Sequence, residues 1–205
     1  MPAAFAADFP GEPPIQPIPV VAPSYTWQGW YVGAETLWDI SLQARHNVDT
    51  KAFNLRGGHA GINFGYDWQF GNWLVFGPYA ALTGGKFEGM DAVATNDCTQ
   101  NCIVEIQALA IFGGRFGVPI GNWVLPYARV GTALGWVNAG FTGIGTHANW
   151  VAGFEVTGGA DIRVSQRALL FGELTSLRLG DTHFAKDTFQ LIPGAVARFG
   201  FRYKL

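Results

Sequence analysis

The chain is poor in charge, poor in cysteine and free of long apolar runs. Charged residues make up 14% of its 205 positions, well below the usual quarter. Thirteen Lys and Arg against 15 Asp and Glu leave a net charge of −2, so no basic surplus marks a nucleic-acid binder. No run reaches the roughly 18 apolar residues of a membrane-spanning helix, which excludes that mode of crossing a bilayer. The two cysteines, Cys98 and Cys102, lack nearby ligands, which argues against a zinc site. Their spacing in a polar stretch suits a small disulfide loop in an oxidising compartment, with two free thiols as the other reading. Proline is scarce over most of the chain: only Pro78, Pro119, Pro126 and Pro193 follow residue 23. No phosphate-binding glycine loop and no metal-ligand spacing occurs, so no cofactor is expected.

What the chain does have is glycine (28), aromatic residues (15%, with 8 Trp) and a hydrophobic share of 49%. Hydrophobic composition without a hydrophobic run is the product of alternating lipid-facing and lumen-facing positions. The alternation is unbroken in the final eight residues. Phe199, Phe201, Tyr203 and Leu205 fall on one side; Arg198, Gly200, Arg202 and Lys204 fall on the other. Gly200, Tyr203 and the terminal Leu205 resemble the C-terminal insertion signal of bacterial outer-membrane barrels, many of which end in Phe.

Taken in order, residues 1–6 read as the remnant of a secretory signal peptide. Ala4-Phe5-Ala6 fits the small-residue cleavage rule and makes Ala7 the mature N-terminus. Residues 7–25 form a proline-rich arm. Six prolines between positions 10 and 23 favour an extended polyproline spacer of about 3.1 Å per residue. Residues 26–205 contain eight strand-like segments, at about 28–40, 55–70, 73–86, 104–118, 123–137, 148–164, 168–179 and 188–205. Gly71-Asn72, Pro119-Ile120-Gly121-Asn122 and Ser165-Gln166-Arg167 make short turns. The other connections, 44–54, 87–103, 138–147 and 180–187, are longer and polar. The expected fold is therefore all-β: an eight-stranded antiparallel up-and-down transmembrane barrel, OmpA/OmpX-like, with a proline-rich N-terminal arm. In such barrels the short turns are periplasmic and the long loops extracellular.

Two patterns favour a bilayer. Rings gather near strand ends: Trp27, Trp30, Trp68, Trp73, Trp123 and Tyr203 at the turn end, Trp38, Trp136 and Trp150 toward the loops, as in two aromatic girdles. Charges within strands share the glycine-bearing face: Glu35, Asp67, Glu105, Arg115, Arg129, Glu155, Asp161, Glu173, Arg198 and Arg202. Facing lipid at mid-bilayer, an Arg or Lys would cost about 2–4 kcal/mol; facing inward, acids and bases can pair. The competing architecture is a soluble lipocalin-like barrel with the faces exchanged, which would have to pack the Trp- and Phe-rich face inside a narrow ring.

Several stretches resemble the small alphaproteobacterial outer-membrane barrels of the Omp25/Omp31 type, a porin family. They are Trp27-Gln28-Gly29-Trp30-Tyr31-Val32-Gly33, the glycine-rich segment at 57–69 ending Tyr66-Asp67-Trp68-Gln69, Phe112-Gly113-Gly114-Arg115-Phe116-Gly117, and the segment at 125–135 opening Leu125-Pro126-Tyr127-Ala128-Arg129. The likeness runs from about residue 24 to the end. The chain departs from the pattern in its third strand, which lacks inward acids, in its terminal Leu205, and in the cysteine pair. The resemblance implies an integral outer-membrane protein with a role in envelope integrity. Its implied partners are membrane lipid, lipopolysaccharide and the barrel-assembly machinery, and it is expected as a monomer or weak homo-oligomer. It also implies a possible peptidoglycan attachment end at Ala7. An eight-stranded barrel is just wide enough for its own side chains, so little or no pore activity is expected.

Two other function classes follow from residue types. Surface haem binding could use His46, His147 and His183, since imidazole ligates haem iron; the histidines are scattered without paired spacing. Small-solute passage is the porin-like variant of the leading reading. A lipid-modifying barrel enzyme would need a nucleophile, a base and an orienting group in contact. His147 and Glu155 could lie along one inward face, but no Ser falls at strand-compatible spacing from His147 and Ser41 and Ser176 are on other strands, so no enzyme is expected.

Overall fold

The structure is a computed structural model that describes residues 25–46, 52–91, 102–141, 144–184 and 187–205. Ala7, most of the proline-rich arm and Cys98 lie outside these residues. Twelve strands follow in order: β1 (Gly29–Asp39), β2 (Gln43–His46), β3 (Ala52–Asn54), β4 (Arg56–Phe70), β5 (Leu74–Asp91), β6 (Cys102–Gly117), β7 (Val124–Phe141), β8 (Gly145–Arg163), β9 (Ala168–Leu179), β10 (Thr182–Phe184), β11 (Asp187–Ile192) and β12 (Gly194–Lys204). Eight of them close into a barrel in the order β1-β12-β9-β8-β7-β6-β5-β4. Every barrel pairing is antiparallel. Closure leaves no unpaired sheet edge, the condition for a β-structure in hydrocarbon.

Alternation places the faces as the sequence predicts. In β1 and β4, Trp30, Val32, Trp38, Ile62, Phe64 and Trp68 point outward and are exposed, while Glu35, Asn63 and Asp67 are buried in the lumen. At the far end of the chain Phe199, Phe201, Tyr203 and Leu205 are outward, and Arg198, Arg202 and Lys204 inward. Rings on the outer wall touch around the turn end: Trp30 meets Tyr66 at 5.1 Å, Tyr66 meets Trp68 at 5.0 Å, and Trp68 meets Phe76 at 5.3 Å. Toward the loops Trp136 and Trp150 lie 5.2 Å apart. A Trp- and Phe-rich face exposed on the wall, with paired charges inside, is the opposite of a lipocalin-like arrangement.

Gly71 and Gly121 take positive φ (56° and 58°) at the hairpin ends, where a Cβ would strain the turn. Gly65 serves packing instead: an added Cβ would lie 2.3 Å from the Tyr31 hydroxyl, so the bare backbone makes room for that ring in the lumen.

Three features depart from the sequence expectation. The eighth segment, expected as one strand over 188–205, is two. Pro193 has no N–H to give the ladder, and the chain breaks there into β11 and β12. The long connections also carry order of their own: β10, β11, β2 and β3 form a separate four-stranded sheet over the loop end, in that order. The third departure is a pair of register shifts, between Gly84 and Phe87 on β5 and between Ile106 and Ala108 on β6. The shift on β6 flips its alternation, with Leu109 and Ile111 inward on one side of it and Val104 and Ile106 inward on the other. Beyond the shifts Phe87 pairs with Ile106 inside, so Glu105, paired with Glu88, falls on the outer side of the sheet. Glu105 is not a lumen acid; its carboxylate is covered by Lys86, whose Nζ lies 2.8 Å away.

Candidate functional site

Three layers of side chains fill the barrel from end to end. The middle layer is charged. Arg115 donates to Asp67 through Nε (2.8 Å) and Nη2 (2.6 Å), and to Asp161 through Nη1 (2.8 Å). Arg129 donates to Glu155 (2.9 Å) and Glu173 (3.0 Å). Arg198 donates to Glu155 (3.0 Å), and its Nη1 lies 3.6 Å from Glu35. Arg202 donates to Glu173 (2.8 Å) and also to Asp161. All nine of these side chains are buried.

Tyrosines interleave the charges. The Tyr79 hydroxyl donates to Glu35 (3.0 Å) and accepts from Arg198 (3.1 Å). The Tyr127 hydroxyl donates to Glu173 (2.5 Å) and accepts from Arg202 (2.9 Å). The Arg129 guanidinium sits 3.9 Å from the Tyr79 ring centre, and that of Arg202 sits 3.8 Å from Phe171. Arg115 and Arg129 are direct cross-strand neighbours. Like charges so placed repel. Here each guanidinium turns to its own pair of carboxylates, which offsets the repulsion. The acids and arginines come from β1, β4, β6, β7, β8, β9 and β12, and Tyr79 adds β5, so the network ties all eight barrel strands together.

Alternation predicted the acids and arginines of this layer, and Tyr79, Tyr127 and Tyr31 were not counted with them. Their signal was present: each falls at an inward position of its strand.

The loop-end layer is apolar. Leu37, Leu55, Phe87, Val104, Ile106 and Leu109 pack there with Val137, Leu177 and Leu179, and Phe189 and Leu191 of β11 close over them. His59 belongs to this layer rather than to the surface. It is buried, stacked at 4.3 Å on Phe87, with Nε2 3.0 Å from the Ile106 carbonyl.

The turn-end layer is built by the root of the arm. Residues 25–28 fold across the mouth, and Trp27, expected as a girdle ring, is instead 1% exposed against Val75, Leu125, Tyr127 and Leu169. The Trp27 N–H donates to Gln69 Oε1 at 2.7 Å. Lys204 Nζ donates to the Thr26 carbonyl at 3.3 Å and to the Trp27 carbonyl. The Arg163 guanidinium covers the Tyr25 ring at 4.3 Å. Burial pushes the Tyr25 hydroxyl up to about 12, with Arg163 pulling the other way.

The remaining expected site residues stay apart. His46 lies in β2 opposite Phe189, and His183 in β10 opposite Thr188, in different rows of the loop-end sheet. His183 Nδ1 is 3.0 Å from the Thr188 hydroxyl. His147 is exposed on the β7–β8 hairpin. Among the described residues no group of three metal-ligating side chains gathers. Glu155 is held by Arg129 and Arg198, Ser176 faces outward, and the Ser41 hydroxyl accepts from the Ala195 N–H, so none of them meets His147. Cys102 opens β6 in a buried position, and its expected partner Cys98 falls outside the described residues. Gly200, Tyr203 and Leu205 lie on the β12 seam, where the Leu205 N–H donates to the Trp30 carbonyl at 3.0 Å.

No family model and no curated protein matches the sequence. Solved structures do match. Neisserial surface protein A is 14% identical, with 86% of this chain and 97% of that one covered at a TM-score of 0.54. The outer membrane protein OprG from Pseudomonas aeruginosa is 12% identical, covering 89% and 98% at 0.52. Ail of Yersinia pestis, solved with the heparin analogue sucrose octasulfate, is 10% identical, covering 87% and 99% at 0.50. At these identities the likeness is one of architecture, and the chain has the fold of the eight-stranded outer-membrane β-barrels.

Proposed function

We propose that this protein is an integral outer-membrane barrel with a structural role in the envelope, of the kind the Omp25/Omp31-type resemblance implies, and that it conducts little or nothing. The observation that carries the reading is the filled lumen. Buried ion pairs such as Arg115–Asp161, Arg198–Glu155 and Arg202–Asp161 cross between strands that are not neighbours, an apolar core closes the loop end, and Trp27 closes the turn end. A barrel of this size has no room beside its own side chains.

In this reading the turn end and the arm face the periplasm and the loops face outward. The root of the arm supports an anchoring role. Its backbone is gripped by Gln69 and Lys204, so a pull on the arm would be delivered to β4 and β12 of the wall. Ala7 is then the end that joins peptidoglycan. Cys98, in the external connection before β6, pairs with Cys102 at the start of that strand. Gly200, Tyr203 and Leu205 address the chain to the assembly machinery.

Mass spectrometry of the N-terminal peptide from detergent-stripped, lysozyme-digested cell walls tests the anchor. A muropeptide adduct on Ala7 is expected; an unmodified Ala7 in protein found only in the detergent-soluble fraction would defeat it.

A further inference from the structure

The outer wall carries a feature that the anchoring role does not use. A cavity of about 510 Å³ opens at the loop end between β9 and the β2–β11 part of the loop sheet. Its charged lining is Arg45, Arg178 and Asp181, a balance of two cations to one acid. Gln190 accepts from Arg45 Nη2 at 2.6 Å and fixes that guanidinium at the cavity wall. Arg178 projects outward from β9, its guanidinium 6.0 Å from the ring of the exposed Phe154. Among the described residues neither arginine is in an ion pair, in contrast to the four committed arginines of the lumen.

The same strands carry a second feature. Below Arg178 and Pro193 the outward positions of β12 become small, Ala195 beside Ser176 of β9 and then Ala197, which lies between the exposed Leu174 of β9 and Trp38 of β1. The trough ends in an apolar groove of about 600 Å³ on the lipid-facing wall, with Ala34, Thr36 and Ala60 as floor and Leu170, Phe199 and Phe201 as walls. From Pro193 to Phe199 the strand runs roughly 20 Å at about 3.3 Å per residue. At a tilt of about 40° it descends roughly 15 Å, the depth of one leaflet of a hydrocarbon core about 30 Å thick.

We infer that Arg45 and Arg178 hold the phosphate of a membrane lipid whose acyl chain lies in the trough and groove along β12. Arginine presents a planar fork that matches a phosphate's oxygens. The position is the one a headgroup takes, a cation at the ring-bearing rim directly above an apolar channel. Two guanidiniums against one carboxylate favour an anion, and the small residues beneath favour a chain over bare bilayer contact. The inference rests on the barrel being embedded in a membrane and is independent of attachment at Ala7.

Native mass spectrometry of the full chain in detergent, with added dioleoyl phosphatidic acid, tests it. One retained phosphatidic acid per barrel is expected, with dioleoylglycerol, which lacks the phosphate, retained about tenfold less. Arg178→Gln, an outward change with no lumen partner, should weaken retention about tenfold, and Arg45→Gln similarly. Ala197→Leu should displace the chain while leaving both arginines in place. Heat-modifiable gel mobility verifies that each variant is a closed barrel. Equal retention of dioleoylglycerol, or unaltered retention in both arginine variants, refutes headgroup recognition. Full displacement of the lipid by equimolar inorganic phosphate would show a free-phosphate site and overturn the lipid as occupant. An Ala197→Leu barrel that retains lipid as the parent does overturns the groove.

Discussion

Arg202 shows what a single residue does in this barrel. It is fully buried, bonds Asp161, Glu173 and the Tyr127 hydroxyl, and stacks on Phe171. Truncating one partner of a buried ion pair leaves the other charge stranded, which costs about 3–5 kcal/mol. Arg202→Ala should therefore lower the unfolding free energy of the detergent-folded barrel, read from urea titration, by an amount of that order, and Arg202→Lys should recover only part, because an ammonium cannot fork to two acids. Unchanged stability in Arg202→Ala would mean that the network does not hold the strands.

On the opposite face, Phe64 is exposed in the middle of β4. Phe64→Arg should cost about 2–4 kcal/mol at mid-bilayer and reduce accumulation in the membrane fraction. Normal accumulation would place Phe64 away from lipid.

Which residues point inward was legible because a two-residue period needs only parity. Nine of the ten charges expected in the lumen are there. Glu105 was lost because a bulge resets parity and leaves no mark on composition. Trp27 was lost because it precedes the first strand, where parity has no meaning.

At the scale of elements, the loop-end sheet separates from the barrel at Pro193. Its hold on the barrel is hydrophobic: Phe189 and Leu191 are buried in the apolar layer. Phe189→Ala should cost about 3–5 kcal/mol of packing locally. Hydrogen exchange would then quicken in β2 and β11 while β9 and β12 keep their protection. Equal quickening in both would show the sheet and barrel to be one cooperative unit.

The strands of the loop sheet are short, three to six residues each, so no periodic signal could accumulate in them. They exist because β1, β4, β9 and β12 bring their connections together over one rim. That is a tertiary cause, and sequence reading along one segment cannot reach it.

For the whole molecule, the layered lumen predicts a silent barrel. In planar bilayers the pure monomer should give no stable unitary conductance. Arg115→Ser should not create one, because the apolar loop-end layer still closes the path. A steady large conductance from the parent chain would contradict a filled lumen. The anchoring reading makes its prediction at this scale as well, since only an intact arm and barrel together can cross from wall to membrane. The fold class followed from alternation, turn lengths and the absence of any helix-length apolar run. The site did not, because ion pairs between non-adjacent strands depend on where the ring closes.

Ring closure also has an electrostatic side. Without β12 the lumen would hold five carboxylates, Glu35, Asp67, Glu155, Asp161 and Glu173, against the two guanidiniums of Arg115 and Arg129. The deficit is three negative charges, and β12 brings three cations, Arg198, Arg202 and Lys204. An open sheet of this chain is therefore an acidic trough that holds water, and docking the last strand discharges it. Shutting the seam and drying the interior are one event, and the strand that completes the hydrogen-bond ladder is also its counterion.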